Sequence, residues 1–250
     1  MRDATYAAEA VIEETHWWFV GRRRLFGREL RAAGLSEGSR CLDIGTSTGA
    51  NLRLLRDLGC TRVHGLEPSV EAIRFCHAKG LGPVRQGDVC AMPFADASFD
   101  MVLATDVIEH VEDDGRALEE IQRVLTPGGY LLLTVPAFES LWGLQDDVSL
   151  HKRRYRLAGL LDGVKRAGLL PRRAFYFNYL LFAPIWAVRR LMRVFSFRID
   201  SEGQLNTPAL NALLSAIFAF DVWTAPRIRP PCGVSILVVA QKAQPADPDV

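Results

Sequence analysis

The 250-residue chain has almost no excess of either charge: 30 Lys and Arg stand against 29 Asp and Glu, for a formal net charge of +1. That balance removes any global electrostatic case for a nucleic-acid partner, and no base-flipping signature is present, so charge-driven recognition has to be local. Cysteine is scarce and not paired in pattern. The five residues Cys41, Cys60, Cys76, Cys90 and Cys232 form no C-x-x-C motif, which excludes a disulfide framework or a thiolate zinc site and fits reduced, buried thiols. No span is expected from the nearly uncharged run Ala174 to Val188, which is short and interrupted by Asn178 and Pro184. The opening MRDATYAAEAVIEETHWW carries acids where an export signal needs a continuous apolar centre. A cytoplasmic protein is therefore expected.

What is present is a core-rich composition, 49% hydrophobic and 24% charged, sufficient for one α/β domain with an appended cap. The chain is organised around Arg40 to Asn51, RCLDIGTSTGAN. An apolar strand, Cys41 to Ile44, ends at a turn holding Gly45, Ser47 and Gly49, and a helix opens at Asn51. Gly45 and Gly49 let the backbone approach a ligand without a Cβ in the way, and the helix start offers unpaired N–H groups. Asp43, just before the turn, is placed to accept from its own backbone or from a ligand amine. The glycine spacing alone would suit any strand-turn-helix crossover.

Strand and helix then alternate. Arg62 to Leu66 forms a strand ending at Glu67, Ser69 to Lys79 a helix capped by Ser69, and Gly82 to Gln86 leads to Gly87-Asp88. Phe99 to Thr105 is a buried strand, Asp113 to Leu125 a helix, and Tyr130 to Val135 another strand after Pro127-Gly128-Gly129. Repeats of this length predict a parallel sheet covered on both faces, with ligands beyond the carboxyl ends of its strands. The Gly45 turn, Glu67, Asp88 and Asp106 should share that edge. Glu67 can accept both hydroxyls of a ribose there, and Asp88 an exocyclic amine of a base.

The flanks divide the chain into an N-terminal helical cap (1–38), a core (39–136) and an acceptor-side region (137–250). In the cap, helices Tyr6 to Ile12 and Trp17 to Ala33 put Trp17 and Trp18 beside Arg22, Arg23 and Arg24. Two readings stand: an amphipathic helix packed on the domain, or a lid whose arginine holds a carboxylate. In the last region a helix from Leu157 to Ala167 and strands Arg173 to Tyr179 and Gly233 to Ala240 bracket two apolar helices, Phe182 to Phe197 and Thr207 to Trp223. The first carries Ile185, Val188 and Met192 on one stripe and Arg189, Arg190 and Arg193 on another, which suits a cover for the sheet, a cap over an apolar acceptor, or a helix lying on anionic lipid at the inner membrane surface.

LDIGTSTGANL, GLEPS, QGDVCAMPFADASFDMVLATDVIEHVEDD and RVLTPGGYLLLTVP together resemble the class I S-adenosylmethionine-dependent methyltransferases of the group acting largely on small molecules. The resemblance implies a doubly wound, Rossmann-like seven-stranded sheet with an antiparallel last strand, an N-terminal helical cap and a C-terminal helical insertion. It implies S-adenosyl-L-methionine as cofactor, with Asp43, Gly45, Ser47 and Gly49 on the methionine and ribose side, Glu67 and Pro68 at the ribose, Asp88 and Val89 at the adenine, and Asp106 and His110 near the methionine end and the acceptor. Ser47 departs from the glycine usual in the family. Two flanking segments, Glu14-Thr15-His16-Trp17-Trp18-Phe19 and His151-Lys152-Arg153-Arg154-Tyr155, resemble one subgroup with no single agreed substrate, so the resemblance narrows the reaction and not the acceptor; Trp17, Trp18, Arg22, His151, Arg153, Arg154 and Tyr155 are the candidate acceptor-binding residues.

The resulting expectation is methyl transfer, at oxygen, to a small or lipid-linked acceptor. His110 is the candidate base for a protonated acceptor, and Arg153 or Arg154 the candidate clamp for an anionic one. Asp146, Asp147 and His151 lack a trusted ligand spacing, so no metal site is expected. A nicotinamide-dependent oxidoreductase and a non-catalytic binding protein of the same fold remain as alternatives.

Overall fold

A computed structural model describes residues 3–195 and 207–244. Two helices, α1 (Asp3–Ile12) and α2 (Trp17–Ala32), precede an alternating run: β1 (Arg40–Ile44), α3 (Ala50–Asp57), β2 (Arg62–Glu67), α4 (Val70–Ala78), β3 (Val84–Gln86), β4 (Phe99–Thr105), α5 (Asp114–Val124) and β5 (Leu125–Pro136). After a short 3-10 turn come α6 (Leu144–Ser149), α7 (Leu157–Arg166), β6 (Leu169–Phe177), α8 (Phe182–Phe195), α9 (Pro208–Ile228) and β7 (Ser235–Lys242). The seven strands form one sheet in the order β3-β2-β1-β4-β5-β7-β6. The pairs within β1 to β5 are parallel, and β7 runs antiparallel to both β5 and β6. The predicted α/β architecture and its antiparallel last strand are present.

Period-two burial gives the sheet two cores. Leu42, Ile44, Val102, Ala104, Leu131, Leu133, Ile236 and Val238 point to the face covered by α5 and α7. Cys41, Met101, Leu103, Leu132, Leu237 and Val239 point to the other, where α2, α3 and α9 pack. Asp43 and Thr134 interrupt that alternation as fully buried polar groups near strand ends, which marks where packing gives way to chemistry. The expected N-caps are in place: Ser69 accepts from Ala72 N–H and Asp113 from Arg116 N–H.

Three boundaries differ most from expectation. β6 begins at Leu169, ahead of Arg173, because Leu169 to Pro171 already pair with β7; Pro171 is tolerated on an edge strand. β5 includes the Pro127-Gly128-Gly129 segment, with a register shift opposite Phe99 and Met101. α9 runs to Ile228, past Trp223, and by length and composition alone it could cross a membrane. The expected ends of the preceding helix at Ser196 and Phe197 lie outside the described residues.

Candidate active site

The turn after β1 is built by backbone contacts. Gly45 N–H donates to the Leu66 carbonyl at 2.8 Å, Gly49 adopts φ +95° and Gly45 φ +68°. At Gly49 a Cβ would meet Leu81 at 2.6 Å, so this glycine is required by conformation and by space. Ser47 sits at φ +48°, a left-handed conformation that glycine adopts without steric cost. Its N–H donates to Glu67 at 2.9 Å, and Ser69 N–H donates to the other oxygen at 3.0 Å. Glu67 is buried at the tip of β2, and burial pushes its carboxyl up while those two amides and the Tyr6 hydroxyl pull it down.

Asp43 is fully buried beneath the same turn. One oxygen accepts from Asn51, which also donates to Thr105, and the other has no hydrogen-bond partner. Burial, reinforced by the nearby Glu67 charge and opposed by Asn51, pushes its carboxyl up to about 7. An orphaned buried carboxylate oxygen beside a glycine turn fits an incoming ammonium group. Beyond β3, Asp88 is exposed, accepting from Cys90 N–H at 2.8 Å with one oxygen. Val89 is buried in the sheet core and Pro68 is exposed. Gln86, two residues before Asp88, pairs with Glu67 across β2 and β3, so both acids stand at the same end of neighbouring strands. Two surface cavities, about 420 and 210 Å3, lie elsewhere: one at Tyr130, Arg173 and Gln241, the other between α5 and α7.

α1 and the joint after it close over this edge. Tyr6 is buried against Glu67, and the buried Glu13 carboxylate takes Lys79 and the Thr48 hydroxyl of the glycine turn. Arg23 ties the same joint down through the Glu13 and Glu14 carbonyls. Neither Tyr6 nor Glu13 was expected at the site. Glu13 is one of several acids in this stretch, with Glu9 and Glu14, and nothing local says which of them packs inward.

The acceptor side brings Asp106, His110 and His151 together but corrects several roles. Asp106 follows β4 at φ +57°; it accepts from Thr134 at 3.1 Å and pairs with Arg22 at 2.6 Å. Arg22 is therefore committed to a carboxylate of the protein itself. Trp17 and Trp18, expected to face the acceptor, pack instead on the second core: Trp18 stacks on Phe218 at 5.2 Å, with Trp17 edge-on to the same ring at 5.3 Å. Apolar burial against α9 decides their position.

The clamp expected of Arg153 and Arg154 is not available. Arg154 is buried, with two guanidinium nitrogens on Asp146 at 2.8 and 2.9 Å and the third on the Ala137 carbonyl. Arg153 reaches the Val111 and Glu112 carbonyls and pairs with Asp114 at 3.1 Å. Tyr155 donates to Asp114 at 2.8 Å, on the α5 side. These residues staple the segment after α6 to the loop after β4; they leave no free fork for an acceptor. Burial, with the neighbouring His151 and against Asp106, lowers His110 to about 4, which keeps its ring neutral at pH 7.

A parallel sheet extended by an antiparallel β7, with a glycine turn after β1 and a buried carboxylate at the tip of β2, defines a class I methyltransferase architecture. The comparisons agree. Residues 42–133 match the family described as "Methyltransferase domain". A protein of Encephalitozoon cuniculi with a provisional methyltransferase description is 31% identical over 174 residues, covering 60% of this chain and 80% of that protein. The malonyl-[acyl-carrier protein] O-methyltransferase of Erwinia billingiae is 34% identical over 124 residues, 49% of each chain. A chain of the solved complex between the Haloferax volcanii Trm112 methyltransferase activator and a methyltransferase shares the fold at TM-score 0.66 and 22% identity, over 98% of this chain and 97% of that one. The chain belongs to the S-adenosylmethionine-dependent methyltransferase family. It spans about half the length of several curated relatives it matches, from 43% to 49%.

Proposed function

We propose that the protein transfers a methyl group from S-adenosyl-L-methionine to the oxygen of a small or lipid-linked acceptor. The observation that carries this reading is the shared edge: Glu67 at the tip of β2, Asp88 just past β3, and the unpartnered Asp43 oxygen under the glycine turn. Glu67 would hold the ribose hydroxyls, Asp88 and the Val89 backbone the adenine, and Asp43 the ammonium of the amino-acid tail. Bound there, the cofactor supplies a methyl group activated by a sulfonium. The protein's part is to align the acceptor with it and exclude water. Arg22 and Asp106, locked to each other over Thr134, form a rigid wall on the acceptor side.

Oxygen is favoured by the O-methyltransferase relative, and a lipid-linked acceptor by the surface of α8 and α9. Trp186, Val188 and Leu191 on α8, and Leu213, Phe220 and Trp223 on α9, are 40–58% exposed. The Arg190 guanidinium lies 5.8 Å over Trp186 and that of Arg227 4.9 Å over Trp223, an arrangement suited to the boundary between lipid headgroups and tails. Arg189, expected on the lipid-facing stripe, instead turns inward to the Leu141 carbonyl, and the Arg193 side chain lies outside the described residues.

Incubating the protein with methyl-labelled donor and with aqueous and lipid fractions of a cell extract tests the reading. Label is expected in a lipid-soluble product, with one S-adenosylhomocysteine formed per methyl. Donor binding without turnover in either fraction would favour the non-catalytic alternative; family membership already removes support from the nicotinamide one.

A further inference from the structure

Two segments that the sequence keeps forty residues apart meet behind Asp106. The loop after β4 supplies Glu109 and His110, and the segment after α6 supplies His151; one ligating atom of each lies within 4.8 Å of the other two. The segments are fixed to each other by Lys152 N–H on the Glu109 carbonyl at 2.8 Å and by Arg153 on the Val111 and Glu112 carbonyls. Glu109 is fully buried, and neither of its carboxylate oxygens has a hydrogen-bond partner on another residue. An ionised carboxylate left without a partner is strongly disfavoured in a protein interior. No step of the proposed methyl transfer uses it.

The histidines are arranged to complement it. His151 Nδ1 lies 2.8 Å from Asp146 Oδ1, and Asp146 is an acceptor held by Arg154 and Gly143 N–H. The Nδ1 proton is thereby assigned, which leaves Nε2 as the ring's lone pair. The His110 ring stands edge-on to His151, centroids 4.7 Å apart. A carboxylate behind a histidine whose other nitrogen is free is the outer support that metal-ligating histidines use.

We propose that Glu109, His110 and His151 bind one divalent ion of the zinc class, leaving a coordination position for an acceptor oxygen. Two imidazoles and one carboxylate are a donor set of catalytic zinc sites. Ligand atoms around one such ion stand roughly 3.5 Å apart, so the observed cluster needs only a small contraction. The ion would give Glu109 its missing partner. It would also add positive charge beside Asp106 and Asp146, whose own charges Arg22, Arg154 and Arg189 already meet, and so favour an acceptor that presents an anionic oxygen. Only this choice of acceptor rests on the proposed methyl transfer; ion binding does not.

The test uses tag-free full chain, stripped with chelator, titrated with zinc chloride by calorimetry and with cobalt chloride by visible absorption. One ion per chain and a ligand-field band are expected, with affinity at least ~100-fold lower in Glu109→Gln and in His151→Gln. His77→Gln, on α4 away from the cluster, should bind as the parent does. Equal weak binding by the parent and both cluster variants, all with unchanged circular dichroism, would overturn the proposal. S-adenosylhomocysteine titrated without metal separates the two readings: cofactor binding with no ion site leaves the methyltransferase reading standing, and an ion site without cofactor binding leaves the metal reading standing.

Discussion

A carboxylate offers about four lone-pair positions. At Glu67, Ser47 N–H, Ser69 N–H and the Tyr6 hydroxyl use three of them, and a ribose held by both hydroxyls needs two. The two backbone donors are fixed by the turn, so Tyr6 has to yield. Tyr6→Phe is expected to bind S-adenosylhomocysteine a few-fold more tightly than the parent in calorimetry; weaker binding would mean that the hydroxyl helps hold the cofactor. Asp43 gives a pH prediction. Because its folded carboxyl titrates near 7 and an unfolded one near 3.8, the unfolded chain releases the proton first as pH rises. Its contribution to stability therefore falls between about pH 4 and 7, by at most about 1.4 kcal/mol per pH unit, and levels off above. Without cofactor, thermal melts of Asp43→Asn should decline less over that range than those of the parent; parallel declines would count against a perturbed Asp43. Glu67 and Asp43 were legible in the sequence because a strand end or a glycine turn restricts where the neighbouring side chains can point. Arg153 and Arg154 were not, since their carboxylate and carbonyl partners are brought near only by the fold.

The contact between α2 and α9 shows how much of the cap depends on a single missing side chain. A Cβ on Gly21 would stand 2.1 Å from the Phe218 ring, itself fully buried, whereas a Cβ on Gly27 would meet Leu58 at an ordinary 3.6 Å. Both glycines lie inside α2. Gly21→Ala should therefore lose about 1–3 kcal/mol through overpacking. Gly27→Ala should gain up to ~1 kcal/mol from helix propensity. Urea melts of the two variants decide this, and a stabilised Gly21→Ala would place α9 elsewhere. The helices themselves could be read from apolar spacing, capping residues and glycine stops. The partner of each face could not: Trp17 and Trp18 looked free for a ligand because Phe177 and Phe218 lie far away in sequence and meet them only after the sheet closes.

Across the whole molecule, the candidate site lies along one edge of a sheet whose parallel part the repeated strand-helix units foretold, while the antiparallel β7 was implied by the resemblance. The apolar surface of α8 and α9 adds a second feature, less visible in sequence because a buried helix and a lipid-facing one share the same composition. Trp186→Gln/Trp223→Gln should at least halve co-sedimentation with anionic liposomes while leaving the melting temperature near that of the parent. Equal partitioning of the two proteins would remove lipid contact at this face.

The most direct measurement on the nucleoside site is calorimetric titration of S-adenosylhomocysteine into the full chain and into Glu67→Ala. The parent is expected to bind one molecule per chain, and the variant at least ~100-fold more weakly with its circular dichroism unchanged. A parent that gives no heat, or a variant that binds as the parent does, would contradict a nucleoside held at the tip of β2.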